Sequence, residues 1–335
     1  MAEPEFEGTI EELRAEVETL AAAHRVAPWG ERDPGTTRRL LALRHVAGVR
    51  LLESAPERPE FASPDFDHLP AGDPLPAIAA PDLSPGLLRA GLLRDGCLLV
   101  RGLVPREDAT RFAARIDRAF EERDRHDTGE DAAEGYYEEF SPRPDVGEPV
   151  VRSWIKQGGG LLAADSPLLC ADMVEMFKRA GLPELVSAYL GEPALLSVHK
   201  TTLRRADPAV GGAWHQDGYF MGEVRSLNLW LSLSRCGDLA PGLDILPRRL
   251  DRYLATATEE AVLDYTISQS KVEQAAQGTP VVRPIFEPGD ALLFDELFLH
   301  QTGSDPSMPG PRFAIESWFF GGSRFPAEYA PLAAF

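Results

Sequence analysis

A chain of 335 residues with 44% hydrophobic content can bury the core of one large domain with extensions, or of two small ones. Its formal charge of −19 and pI near 4.8 argue against nonspecific nucleic-acid binding, because most of the surface would repel phosphates. Cys97, Cys170 and Cys236 are odd in number, widely spaced and set in apolar sequence, which argues against a disulfide framework or a cysteine-rich metal centre and suits small core residues.

The first residues are acidic, and no uninterrupted run of about 18 apolar residues offers a membrane span, so the expectation is a cytoplasmic protein without a membrane partner. Thr9-Ile10-Glu11-Glu12 reads as a capping box opening an amphipathic helix with Ile10, Leu13, Val17, Leu20 and His24 on one stripe. That stripe suits packing on its own domain; the alternative is a homodimer through the N-terminal helix. His24 reads as a partly solvated helix residue. A second helical pattern runs through Arg38, Leu40, Leu41, Leu43, Val46 and Val49. Prolines from Pro56 to Pro85 then rule out regular structure and mark a linker or wrapping arm, giving an N-terminal extension over 1–83 and a main domain over 84–335.

Ser84 and Pro85 predict a helix running toward Gly96, followed by a strand from Cys97 to Val104. A further helix starts near Pro105 with Ala109, Phe112, Ile116 and Phe120 on one face, and ends in the acidic stretch 123–148. Tyr136, Tyr137 and Phe140 in that stretch either close over a pocket as a lid or anchor the loop. Gly158-Gly159-Gly160 lacks the lysine and spacing of a phosphate-cradling loop and reads as a flexible turn. Helices are expected from Ser166 to Phe177 and from Pro183 to Leu190.

After Glu192 the texture becomes mainly β. Strands are expected at 195–203, 227–234, 243–246, 281–286, 291–294 and 313–320, with one helical insertion around 259–265. This spacing favours a sandwich or a small barrel. Within it, His215 and Asp217 lie two apart on extended backbone and so point to one face, with His300 as a third ligand candidate and Arg312 twelve residues later. Two neutral imidazoles and one carboxylate occupy a face of an octahedral ion and leave positions open, whereas a structural zinc site would close its shell.

Together these pieces resemble the phytanoyl-CoA dioxygenase family of Fe(II)- and 2-oxoglutarate-dependent oxygenases. The resemblance rests on Trp214-His215-Gln216-Asp217, the strand 227–233, the Pro288-Gly289-Asp290 turn leading to His300, and Arg312. More loosely it reaches back to about Leu87 through Asp95-Gly96-Cys97-Leu98-Leu99-Val100-Arg101-Gly102-Leu103, and residues before about Pro81 lie outside it. The resemblance implies a double-stranded β-helix, a distorted jelly roll with flanking helices, in which His215, Asp217 and His300 hold iron at one mouth. It further implies that Arg312 meets the remote carboxylate of 2-oxoglutarate with its planar fork, that Thr302 adds a hydroxyl donor, and that Lys200 and Trp230 lie near the cosubstrate.

The implied reaction consumes O2 and 2-oxoglutarate, releases succinate and CO2, and hydroxylates an unactivated C–H bond of a small-molecule substrate; desaturation or ring formation is a variant. Asp217 stands where the family's halogenases carry a small noncoordinating residue, which disfavours halogenation. The run Pro241 to Arg249 departs from the family's Pro-Gly-Ser-His ending, so substrate identity does not carry over. Arg152, Lys156, Arg204 and Arg205 are candidates to receive an anionic substrate, against solvated charge as the commoner role. Two other classes compete: a noncatalytic metal-containing β-barrel binding protein, and a cupin-type metalloenzyme that ignores 2-oxoglutarate.

Overall fold

The computed structural model describes every residue except 1–5, 29–30, 72–74, 259–260 and 262. Eight helices and ten strands are present among the described residues. The N-terminal helices are α1 (Ile10–Val26) and α2 (Pro34–Glu53). The predicted capping box forms at α1, with Glu12 N–H donating to Thr9 Oγ1 at 3.2 Å and Thr9 N–H donating to Glu12 Oε2 at 2.7 Å. Leu13, Val17 and Ala21 are fully buried in a cluster with Leu40, Leu43 and Ala47 of α2, so the stripe is covered within the chain rather than left for a second subunit. His24 is also buried, contrary to the expected solvation, because its Nε2 lies 3.1 Å from Asp172 of α6 (Pro167–Arg179). Asp172 collects Arg32 and Arg115 as well, an arrangement that the sequence separation of these residues conceals.

The Pro-rich segment contains one short strand, β1 (Ala77–Ala79), where none was expected. It runs parallel to β2 (Cys97–Arg101) at the edge of the large sheet, a position that needs few ladder hydrogen bonds. Between them α3 (Pro85–Asp95) starts at the predicted Ser84 cap and ends on Gly96 at φ 79°. Then come α4 (Arg106–Asp127), α5 (Ser153–Gln157), β3 (Gly160–Leu162), α6 and α7 (Leu182–Leu190). Gly160, expected in a flexible turn, begins β3. The 123–148 loop is anchored: Tyr137 is buried, Glu138 accepts from Arg38, and the Phe140 carbonyl accepts from Arg152.

The large sheet takes the order β1-β2-β7-β5-β9-β4-β10, with β3 also pairing β4. Its long members are β4 (Ala194–Ala206), β5 (Ser226–Ser232) and β9 (Arg312–Gly321), flanked by β7 (Ala291–Phe294) and β10 (Pro331–Ala333). Alternation splits each strand between two cores. Leu227, Leu229 and Leu231 pack with α3, α4, α6 and α7 on one face. Trp230, Leu292, Phe294, Ala314 and Trp318 pack on the other, against Leu243 and Ile245 of a second, smaller sheet.

That smaller sheet pairs β6 (Gly242–Ile245) with β8 (His300–Gly303), extended by bridges from His215 to His300 and from Ile245 to Val282. The strand expected at 281–286 is thus reduced to isolated bridges at Val282 and Phe286. Two sheets facing across an aromatic interior form the expected jelly roll, with helices covering the outer face of the large one. The helix expected around 259–265 falls partly outside the described residues, and 263–265 form a bend and turn; the last helix, α8 (Gln269–Ala276), was not anticipated. No helix among the described residues is long and apolar enough to cross a membrane.

Candidate metal centre

Two local devices carry the ligands. The backbones of His215 and His300 exchange hydrogen bonds, His215 N–H to His300 O at 3.0 Å and His300 N–H to His215 O at 3.2 Å, which holds the two Cα atoms in direct register. Alternation then sends Gln216 away from its neighbours: its amide donates to the carbonyls of Arg252 and Leu297 and its oxygen accepts from Leu254 N–H, so it pins the adjoining loop. Asp217 returns to the His215 face as it opens a short 3-10 turn through Phe220. His300 is delivered by β8, after the Pro288-Gly289-Asp290 turn has started β7. In that turn Gly289 takes φ 97°, and a Cβ there would stand 2.1 Å from the Val104 carbonyl oxygen. Asp290 fixes the turn by accepting from the backbone N–H groups of Gly102 and Glu287, each at 2.9 Å.

Ligand atoms of His215, Asp217 and His300 lie within 4.8 Å of one another, and this is the one such group of three found among the described residues. Each imidazole donates through Nδ1 to a carbonyl two residues back, His215 to Ala213 at 2.8 Å and His300 to Phe298 at 3.2 Å. That choice of tautomer leaves both Nε2 lone pairs for a metal. Asp217 Oδ2 is buried without a hydrogen-bond partner and stands 3.6 Å from His300 Nε2. Burial, reinforced by His215, pushes the His300 imidazole down to about 4, so it stays neutral as a metal ligand must. The donor set therefore fits a divalent ion with an open face.

Arg312 opens β9 on the interior face of the large sheet and is 4% exposed. Its Nη1 donates to the Gly242 carbonyl at 3.0 Å, its Nε has no partner, and no carboxylate pairs with it among the described residues. Burial pulls this guanidinium down to about 10, with Cys236 the largest opposing influence. Trp230 walls this end, its ring 5.2 Å from the guanidinium carbon and 4.7 Å from Phe286. Thr302 follows His300 on the same face of β8, since Gln301 between them turns outward to Asp244. Gly303, next along β8, is the register partner of Gly242, the residue Arg312 touches. The strand thus leads from the His215–Asp217–His300 group past Thr302 to the guanidinium over roughly 10 Å.

Lys200 lies elsewhere. On β4 the register partner of Arg312 is Ala206, six residues from Lys200 and so roughly 20 Å along the strand. Between these two ends sits Glu316, paired to Arg204 at 2.9 Å on the interior face. Burial raises the Glu316 carboxyl, but Arg204 and then His300 outweigh it and hold the group below its ordinary value. The sequence reading missed this pair, although Glu316 follows Arg312 at an even spacing on one strand and must share its face. Arg152, Lys156 and Arg205, candidates for an anionic substrate, are paired to Asp165, Asp127 and Asp117. His199 lies outside the group, its Nε2 donating to the Glu148 carbonyl.

A family model described as phytanoyl-CoA dioxygenase matches residues 92–312. No curated protein matches the chain. Among solved structures, EctD from S. alaskensis with 2-oxoglutarate and 5-hydroxyectoine superposes with a TM-score of 0.52 at 16% identity, covering 81% of this chain and 87% of that one. EctD from S. alaskensis with bound Fe gives 0.50 at 16% identity, covering 80% and 86%. The carbocyclase SnoK from nogalamycin biosynthesis gives 0.48 at 15% identity, covering 73% and 86%. At 16% identity the likeness to EctD is one of fold.

Proposed function

Because the chain belongs to the phytanoyl-CoA dioxygenase family and is an Fe(II)- and 2-oxoglutarate-dependent oxygenase, we propose that it hydroxylates an unactivated C–H bond of a small-molecule metabolite, with release of succinate and CO2. The observation that carries this reading is a two-histidine, one-carboxylate group, half-buried at His215 and buried at Asp217 and His300, with a buried guanidinium that lacks a carboxylate partner roughly 10 Å along β8. His215, Asp217 and His300 would hold the iron. Ferrous iron supplies the oxygen chemistry when bound, and the chain supplies position and dielectric.

Arg312 would receive the far carboxylate of 2-oxoglutarate through its unpartnered Nε and its remaining N–H groups, with Thr302 adding a hydroxyl and Trp230 closing the wall. A carboxylate there restores to the guanidinium the counter-charge that burial denies it. Lys200 would act at the opposite side of the ligand group, near Asp217, where the oxo-acid end of the cosubstrate and the substrate meet. Asp217 as third ligand leaves no vacancy for a halide, in favour of hydroxylation.

The test is succinate release from 2-oxoglutarate in air with Fe(II) and a metabolite library. Substrate-dependent succinate is expected, and its absence without iron or under nitrogen. Turnover that ignored 2-oxoglutarate would favour a cupin-type enzyme, and no turnover with any added compound would favour a binding protein.

A further inference from the structure

Large aromatic side chains rarely stand exposed together on a soluble protein without a ligand to cover them. Here Trp154, Tyr219, Phe220 and Tyr265 are 46%, 51%, 41% and 37% exposed. They are contiguous: Phe220 meets Tyr219 at 5.4 Å and Tyr265 at 5.1 Å, both edge to face. Phe220 and Trp154 share one cation, the Lys200 ammonium, which is 5.3 Å from each ring. Phe220 closes the same short turn that Asp217 opens, so this collar adjoins the candidate ligand group in the chain.

Lys200 is the cation in this region without a carboxylate in ion-pairing distance among the described residues; Arg152, Lys156, Arg204 and Arg205 each have one. Burial lowers its ammonium from the ordinary lysine value, against the pull of Asp217 and Glu316. An ammonium held between two rings retains capacity for an anion, because ring faces leave its N–H donors unsatisfied. Arg312 serves the far carboxylate of the cosubstrate at the other end of β4 and β9, which leaves Lys200 on the side open to the collar.

We propose that the substrate is a flat aromatic or polycyclic molecule bearing an anionic group, its rings held by Trp154, Phe220 and Tyr265 and its charge by Lys200. The inference rests on the oxygenase reading, which supplies the reacting end of the pocket. Stacking would orient the ring plane, and the ammonium would fix which edge approaches Asp217 and its partners.

The probes are 2-naphthoate and its uncharged analogue 2-naphthol, titrated anaerobically at pH 7 into the full chain loaded with Fe(II) and 2-oxoglutarate and followed by tryptophan fluorescence. The acid is expected to bind at least tenfold more tightly than the alcohol. Lys200→Met should abolish that preference, and Phe220→Leu should weaken both probes several-fold while keeping it. The acid-to-alcohol ratio is taken within one preparation, so a partly folded variant does not distort it. Equal binding of the two probes to the unaltered chain, failure of both to bind, or a Lys200→Met variant that weakens 2-oxoglutarate instead of naphthoate would overturn the proposal. The oxygenase reading fails separately, if Fe(II) and 2-oxoglutarate leave the protein without a visible charge-transfer band.

Discussion

At the scale of single residues, the candidate metal centre depends on groups whose hydrogen bonding stops short of satisfaction. Asp217 Oδ2 has no partner, and both imidazoles present Nε2 to the same space. His215→Ala should abolish Fe(II) binding and lower succinate formation at least a hundredfold, measured by metal titration and product release; retained turnover would remove His215 from the ligand set. Arg312→Ala should act differently. Losing a charged hydrogen-bonding partner costs about 2–3 kcal/mol, so the 2-oxoglutarate concentration for half-maximal rate should rise roughly 30- to 150-fold while iron still binds. Glu296, whose carbonyl accepts from Gly218 N–H beside Asp217 and whose carboxylate accepts from Ser226, offers a pH test. Burial, then the charge of Asp295, raise its carboxyl above the ordinary 4.5. A raised folded value means that stability is fully present below 4.5 and is lost as pH climbs through the higher value. The melting temperature of the metal-free protein, taken relative to that of Glu296→Gln at each pH, should therefore fall from acid toward neutral pH; a difference that does not change with pH would remove Glu296 from that role.

At the scale of elements, the alternation of the long strands decides what faces the pocket. β9 places Arg312, Ala314, Glu316 and Trp318 inward and Ile315 and Phe319 outward, and a one-residue slip would exchange the two sets. Helices α1 and α2 serve a different purpose, covering α6 and the C-terminal strand; His45 Nδ1 reaches the Pro331 carbonyl at 2.9 Å. Leu13→Ala opens a cavity in a fully buried site, so urea denaturation should report a loss of about 2–5 kcal/mol. Turnover below the shifted midpoint should stay within twofold, because α1 contributes no side chain to the metal centre.

At the scale of the whole molecule, two sheets face each other across the aromatic interior, with the ligand group at one end and Arg312 deeper inside. Binding at such a site adds to folding stability by mass action, about 2.7 kcal/mol for a ligand at a hundred times its dissociation constant. Fe(II) under anaerobic conditions should raise the melting temperature, 2-oxoglutarate should raise it further only when iron is present, and a chelator should reverse both. Arg312→Ala should retain the iron increment and lose most of the second.

The sequence by itself determined the elements with strong local signals: the Thr9 and Ser84 caps, the placement of His215 and Asp217 two residues apart toward one face, and the apolar alternation of β5 and β9. These are properties of neighbouring residues, which backbone geometry alone makes legible. Only the tertiary structure decided that His24 is buried against Asp172, that Arg204 is taken by Glu316 while Lys200 is left to two aromatic rings, and that the strand expected at 281–286 shrinks to bridges. Each of those outcomes depends on partners tens to more than a hundred residues away, brought together by sheet register and helix packing, which no local spacing encodes.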